Sequence, residues 1–141
     1  MGHGIVPGVA TLDDVGRLAS GLPGVTEGER RGNLTWFVGG KAFAWERPFS
    51  QADLRRFGDA APPEGPIVAV VVDDLVEKEA VLSGSARGLF TIPHFDGYPA
   101  VLMALPTVAR TTLRDSITDA WLACAPPDLA DQYLAARRRR R

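Results

Sequence analysis

Leu34-Thr35-Trp36-Phe37-Val38, then Gly39-Gly40, then Lys41-Ala42-Phe43-Ala44-Trp45 is the stretch from which the architecture reads most directly. Two runs of aromatic and β-branched residues flank a glycine pair. Paired glycines accept the positive φ of a type I′ turn, so the segment reads as a tight antiparallel hairpin. In the register such a turn sets, Trp36 faces Phe43, Leu34 faces Trp45 and Val38 faces Lys41. These residues form one aromatic stripe, with Thr35, Phe37, Ala42 and Ala44 on the opposite face.

Upstream of the hairpin the period is 3.6. Leu12, Val15, Leu18, Ala19 and Leu22 recur at three- and four-residue steps, the apolar stripe of a surface helix. Thr11 with Asp14 three residues on is a capping pattern, and Gly21 with Pro23-Gly24 stops the helix. Residues 1–10 carry no periodicity and read as a flexible lead.

Downstream, Pro48 to Gly65 is polar and proline-flanked and reads as a mobile insertion. Within it Ser50 can cap a short turn of helix through Leu54 and Phe57. Ile67 to Val72 is aliphatic at every position, which marks a central strand. Asp73 or Asp74 then caps a helix across Leu75 to Leu82, ended by Ser83-Gly84. Strands at Leu89–Ile92 and Ala100–Leu105 bracket the turn-rich loop Pro93 to Pro99. Thr112 with Asp115 opens a long helix whose stripe is Leu113, Ile117, Ala120, Trp121 and Cys124. Pro126-Pro127 breaks it, and a short helix from Leu129 to Ala136 leads into an arginine tail.

Strands joined by tight turns or short loops favour an antiparallel sheet with the long helices on one face, an α+β fold. One domain over residues 11–136 is expected, followed by the basic tail 137–141. At 141 residues and 45% apolar composition, the chain is long enough for one real core and is neither disordered nor fibrous. No apolar run reaches the roughly 18 residues of a membrane span, and no secretory leader is evident. Cytoplasm with no membrane partner is therefore the expectation. Cys124 is the single cysteine, which excludes an internal disulfide or a multi-cysteine zinc site.

Four blocks also carry a family resemblance. Thr11 to Glu27, Val38 to Ala44, Thr91 to Leu102, and Leu113 through Asp119-Ala120-Trp121 to Pro126 resemble, in order, the MmcQ/YjbR family. That resemblance implies a fold similar to frataxin and CyaY, with the N- and C-terminal helices packed on one face of an antiparallel sheet. It also implies DNA binding and no agreed enzymatic activity. Pro48 to Gly65 and the arginine tail fall outside the family pattern.

Charge divides unevenly. Sixteen Lys and Arg against seventeen Asp and Glu give −1, but five of the arginines are residues 137–141. Residues 1–136 hold eleven basic against seventeen acidic side chains, a net of −6. Phosphates would meet a repulsive mean field over this body unless the cations gather on one side. The expected partner is DNA through non-specific phosphate contacts, with Arg30, Arg31, Lys41, Arg137, Arg138, Arg139, Arg140 and Arg141 as candidate contacts. Five tail contacts alone would give a salt slope of about −4 to −5. The competing reading is a protein-interaction or small-ligand module in a cleft between the sheet and the Pro93 to Pro99 loop. Its candidate lining is Trp36, His94, Asp96 and Tyr98, and it expects an apolar or acidic pocket to dominate the surface.

His94 and Asp96 also suggest an acid–base pair, provided that they converge within hydrogen-bond reach. Without convergence Asp96-Gly97 is a turn, Tyr98 packs its ring beside Pro99 and His94 bonds a backbone carbonyl. No serine or cysteine nucleophile is predictably adjacent, so no catalytic residue is assigned. His3 and His94 are the only histidines, too few for a metal site, and no cofactor is expected. Gly39-Gly40-Lys41 lacks phosphate-loop spacing and leads into a strand.

Overall fold

The Asp14 N–H donates to the Thr11 hydroxyl at 3.2 Å and the Thr11 N–H returns to the Asp14 carboxylate at 2.9 Å. This reciprocal cap starts α1 (Leu12–Ser20) where the sequence places it. The computed structural model describes residues 8–140. Most of the expected lead, with His3, and the terminal Arg141 lie outside the described residues.

A strand that the sequence does not announce follows, β1 (Val25–Arg30). Val25-Thr-Glu-Gly-Glu-Arg30 has one large apolar residue, so it lacks the alternation that marks a strand. It forms because β2 (Asn33–Val38) offers an edge, and its charges suit that edge position. The connecting turn is Arg31-Gly32 with φ of 52° and 81°, both left-handed. Arg31 is the one non-glycine residue among those described with positive φ.

The hairpin from β2 to β3 (Lys41–Glu46) turns at Gly39-Gly40, with φ of 57° and 79°. Its register departs from expectation. Val38 pairs with Lys41 and Phe37 with Ala42, but Trp36 then pairs with Ala44 and Thr35 with Trp45. One extra residue on β3 makes a bulge, and beyond a bulge alternation changes face. Trp36 and Phe43 are therefore fully buried on the helix side, whereas Trp45 turns with Thr35 to the other face. The single aromatic stripe expected from ideal pairing does not exist.

Six strands order as β1-β2-β3-β4-β6-β5, every neighbour antiparallel, with β4 (Ile67–Val71), β5 (Leu89–Phe90) and β6 (Ala100–Ala104) completing the sheet. With its helices this is the expected α+β architecture. Strand β4 is apolar throughout because both its faces are covered: Val68 and Val70 enter one cluster, Ile67 and Ala69 the other.

Helix α1 and the long α4 (Arg110–Cys124) pack together on the first face, where Val15, Leu113, Ile117 and Trp121 meet the sheet. The expected Thr112 cap is not used. Helix α4 starts after Ala109 with no side-chain cap, and Arg110 takes up a place beside Asp14 at 3.5 Å. Helix α5 (Pro127–Arg139) is longer than expected and carries Arg137 to Arg139 as helix. Pro127 presets its first turn, arginine is a good helix former, and Leu129 and Tyr133 dock on the first cluster.

Within the expected insertion, residues 49–57 are built into the fold, while residues 58–65 form an irregular and mostly exposed stretch. The former contain α2 (Gln51–Phe57), capped by Ser50 as expected, and Phe49 and Phe57 pack with Phe90 against the second cluster. A short 3-10 turn, Pro93–Phe95, joins α2 on that face. Helix α3 (Leu75–Ser83), capped by Asp74, lies beside β5 and β6. Among the described residues no helix packs on the β1–β2–β3 half of the second face.

Candidate functional site

That half forms one wall of a cleft of about 810 Å³, with Thr35 buried at its floor and Trp45 half-buried against the second cluster. Thr35 and Trp45 contribute the sheet surface. The β1–β2 turn brings Arg30 and Arg31 to one rim, and the end of β3 supplies Glu46 and Arg47. His94, Phe95 and Tyr98 come from the 3-10 turn opposite. Three arginines against one glutamate leave the lining at +2, in a body that is acidic overall.

The cations are arranged on aromatic faces. The Arg30 guanidinium lies 5.2 Å from the centre of the Trp45 ring, and that of Arg47 lies 5.6 Å from Phe95. Arg47 is the more fixed of the two. Its side chain is only 17% exposed, and its Nη1 reaches Asp53 at 3.0 Å and the Pro48 carbonyl. Asp53 is itself buried and doubly employed. It accepts the Ser50 N–H at 2.8 Å while its own N–H donates to the Ser50 hydroxyl at 3.1 Å. Burial pushes the Asp53 carboxyl up, but the Ser50 and Arg47 hydrogen bonds and the Arg47 charge outweigh it, so the net direction is down. Its Oδ1 accepts no hydrogen bond from the described residues and has the Arg56 guanidinium at 3.6 Å.

The opposite wall hangs on Lys78. This lysine is buried at 7% exposure, and its ammonium donates to the carbonyls of Phe95 at 2.6 Å and Tyr98 at 2.8 Å. Burial lowers its proton affinity, partly offset by the Asp96 carboxylate nearby.

Of the residues singled out from sequence, Arg30, Arg31, His94 and Tyr98 come together here. Trp36 does not: it is in the core on the other face, its indole N–H donating to Glu27 at 2.9 Å. Asp96 is exposed and faces Lys78, and no hydrogen bond joins it to His94 among the described residues. The acid–base pair does not converge. Lys41 stands at the other end of β3, roughly 16 Å along the strand from Glu46.

Arg137 to Arg139 belong to helix α5, and none of the described tail arginines lines the cleft. Arg137 lies near Asp119 of α4, whose carboxyl is raised by burial and by Asp115, Glu77 and Asp73 and lowered by Arg137. Asp73, Glu77 and Asp119 line an acidic hollow of about 270 Å³ over Val70 and Val101. Cys124 is buried, and burial raises its thiol. Among the described residues no group of three His, Cys, Asp or Glu side chains forms a metal site.

The sequence offers the stripe Trp36, Phe43 and Trp45 as a base-stacking surface with Arg47 close by but favours a core stripe, and it misses Phe95 as a site residue altogether. Arg47 follows directly on β3, its N–H donating to the Ile67 carbonyl at 2.8 Å, so it stays on the face of Trp45 two residues before it, the face that the unrecognised bulge hides in the sequence. Phe95 reads as turn filler until its ring is seen under Arg47.

This is an open-faced α+β domain with a basic, aromatic cleft. Proteins similar to it occur in mycobacteria. Uncharacterized protein Rv2570 of Mycobacterium tuberculosis and uncharacterized protein Mb2600 of Mycobacterium bovis are each 44% identical over 130 residues, covering 90% of this chain and 98% of theirs. The chain belongs to the same family as these mycobacterial proteins. No family model matches it, and no solved structure matches it. Among the described residues no helix is long and apolar enough to cross a membrane.

Proposed function

We propose that this chain is a non-enzymatic binding protein of the MmcQ/YjbR type, acting in the cytoplasm, that holds nucleic acid in the cleft between β1–β3 and the Pro93–Phe95 turn. The observation that carries this reading is the gathering of Arg30, Arg31 and Arg47 on one face, two of them seated on aromatic rings. Guanidinium groups suit phosphate geometry, and a local positive site can overcome an acidic mean field at the short range that screening allows. The cleft is also larger than the apolar hollow on α3, about 600 Å³, and the acidic one.

Fluorescence anisotropy of a labelled DNA oligonucleotide with the full chain tests the reading at low and moderate salt. Binding at low salt that is abolished by Arg30→Glu with Arg31→Glu supports it. No binding at low salt, or binding indifferent to both charge reversals, overturns it.

A further inference from the structure

We infer that the occupant of this cleft is a single strand of nucleic acid, with a base stacked on Trp45 and its phosphates on Arg30, Arg31 and Arg47; the inference rests on the nucleic-acid reading above. Duplex DNA keeps its bases stacked on one another and offers a protein only their edges. A single strand offers π faces, and proteins that take it combine a cationic groove with aromatic platforms. Both parts are present here, and the bulge in β3 is what supplies the second. Ideal pairing would have placed Trp45 with Trp36 in the core, whereas the inserted residue turns it to the second face beside the buried Thr35, where it packs half-buried against the second cluster and lines the cleft.

The two cleft arginines have different parts in this arrangement. Arg30 is exposed and rests on the Trp45 ring at 5.2 Å. It can leave that face to a base and move to the adjoining phosphate, since a base replaces the cation–π contact with a stack of similar or greater strength. Arg47 is held by Asp53, Pro48 and the Phe95 ring. Both of its bonds use Nη1, and Nη2 and Nε make none with the described residues. Arg47 is thus a pre-oriented donor edge for one phosphate, and Arg31 at the turn is positioned for the next.

Intrinsic fluorescence reads the contact directly. Trp36 and Trp121 are fully buried, so of the three tryptophans only Trp45 is accessible to a stacking base. The experiment titrates the full chain with a short single-stranded DNA oligonucleotide and with its duplex, following anisotropy and tryptophan emission. Tighter binding of the single strand with quenched emission is expected. Trp45→Ala should weaken single-strand binding about 5- to 150-fold, while Trp45→Phe retains most of it. Saturation without quenching in the wild type overturns the inference, whatever the variants do. Duplex binding at least as tight as single-strand binding, still lost on Arg30→Glu with Arg31→Glu, overturns the inference and leaves the nucleic-acid reading standing. Failure of both oligonucleotides at low salt removes both. A mononucleotide that quenches Trp45 at the same concentration as the oligonucleotide overturns the assignment of a strand.

Discussion

The ammonium of Lys78, on α3, donates to the backbone carbonyl of Phe95 at 2.6 Å, seventeen residues away in sequence. A second bond to the Tyr98 carbonyl at 2.8 Å closes the grip on the turn that carries His94 and the Phe95 ring. A buried ammonium is costly unless its hydrogens are used, and two carbonyls with Asp96 alongside meet that demand. The wall of the cleft is therefore tied to a helix that itself lies outside it.

Lys78→Met keeps the apolar stem and removes the charge. Both carbonyls lose their donor, so the variant should be less stable by about 2 kcal/mol in urea unfolding. Binding to DNA should weaken as well, because Phe95 no longer holds Arg47 in place. An unchanged unfolding midpoint would mean that the grip contributes nothing.

Arg31 occupies a left-handed backbone position that glycine or asparagine would accept more easily, at a cost of about 1 kcal/mol. Arg31→Asn should therefore raise the thermal midpoint by a few degrees. The same change should weaken oligonucleotide binding, since it removes one of three cleft cations. A variant that is more stable and binds equally well would argue against any role for this side chain.

Asp14 and Asp53 are both pushed up by burial and pulled further down by their hydrogen bonds and arginines, ending below the ordinary value of 3.8. In such a case the unfolded chain takes up protons first as pH falls. The stability these carboxylates contribute is complete above 3.8 and is lost as pH drops through their folded values. Urea midpoints measured from pH 6 down to pH 2 should fall steeply for the wild type and less for Asp53→Asn.

Salt dependence separates the cleft from the tail. Three arginine contacts give a slope of log affinity against log salt of about −2 to −3, whereas adding five tail contacts would at least double it. The cleft reading expects the shallow slope, unchanged by deletion of residues 137–141. Arg137 already has acidic company at Asp119, which reduces its value to a phosphate.

Helices α1 and α2 are legible from the sequence down to their caps, because Thr11–Asp14 and Ser50–Asp53 are local hydrogen-bonding patterns. The stripe of α4 is equally plain, though its start is not: Ala109 carries no capping signal, and the helix begins where packing beside α1 allows. Strand β1 is invisible because Val25–Arg30 has no apolar alternation of its own, only a neighbour to pair with.

What the chain's own order determined is the set of short-range features: the caps, the Gly39-Gly40 turn, the all-apolar β4 and the excess of acid over base in the body. These depend on contacts within a few residues, so residue types and spacing suffice. Only the tertiary structure decided that Trp45 turns from the first cluster to the margin of the second, that Arg30 and Arg47 line one cleft, and that Arg137 lies near Asp119 of α4 instead. A bulge of one residue changes the face of everything beyond it, and side chains brought together from Arg30, Arg47 and Phe95 have no common signal in the chain until the sheet is assembled.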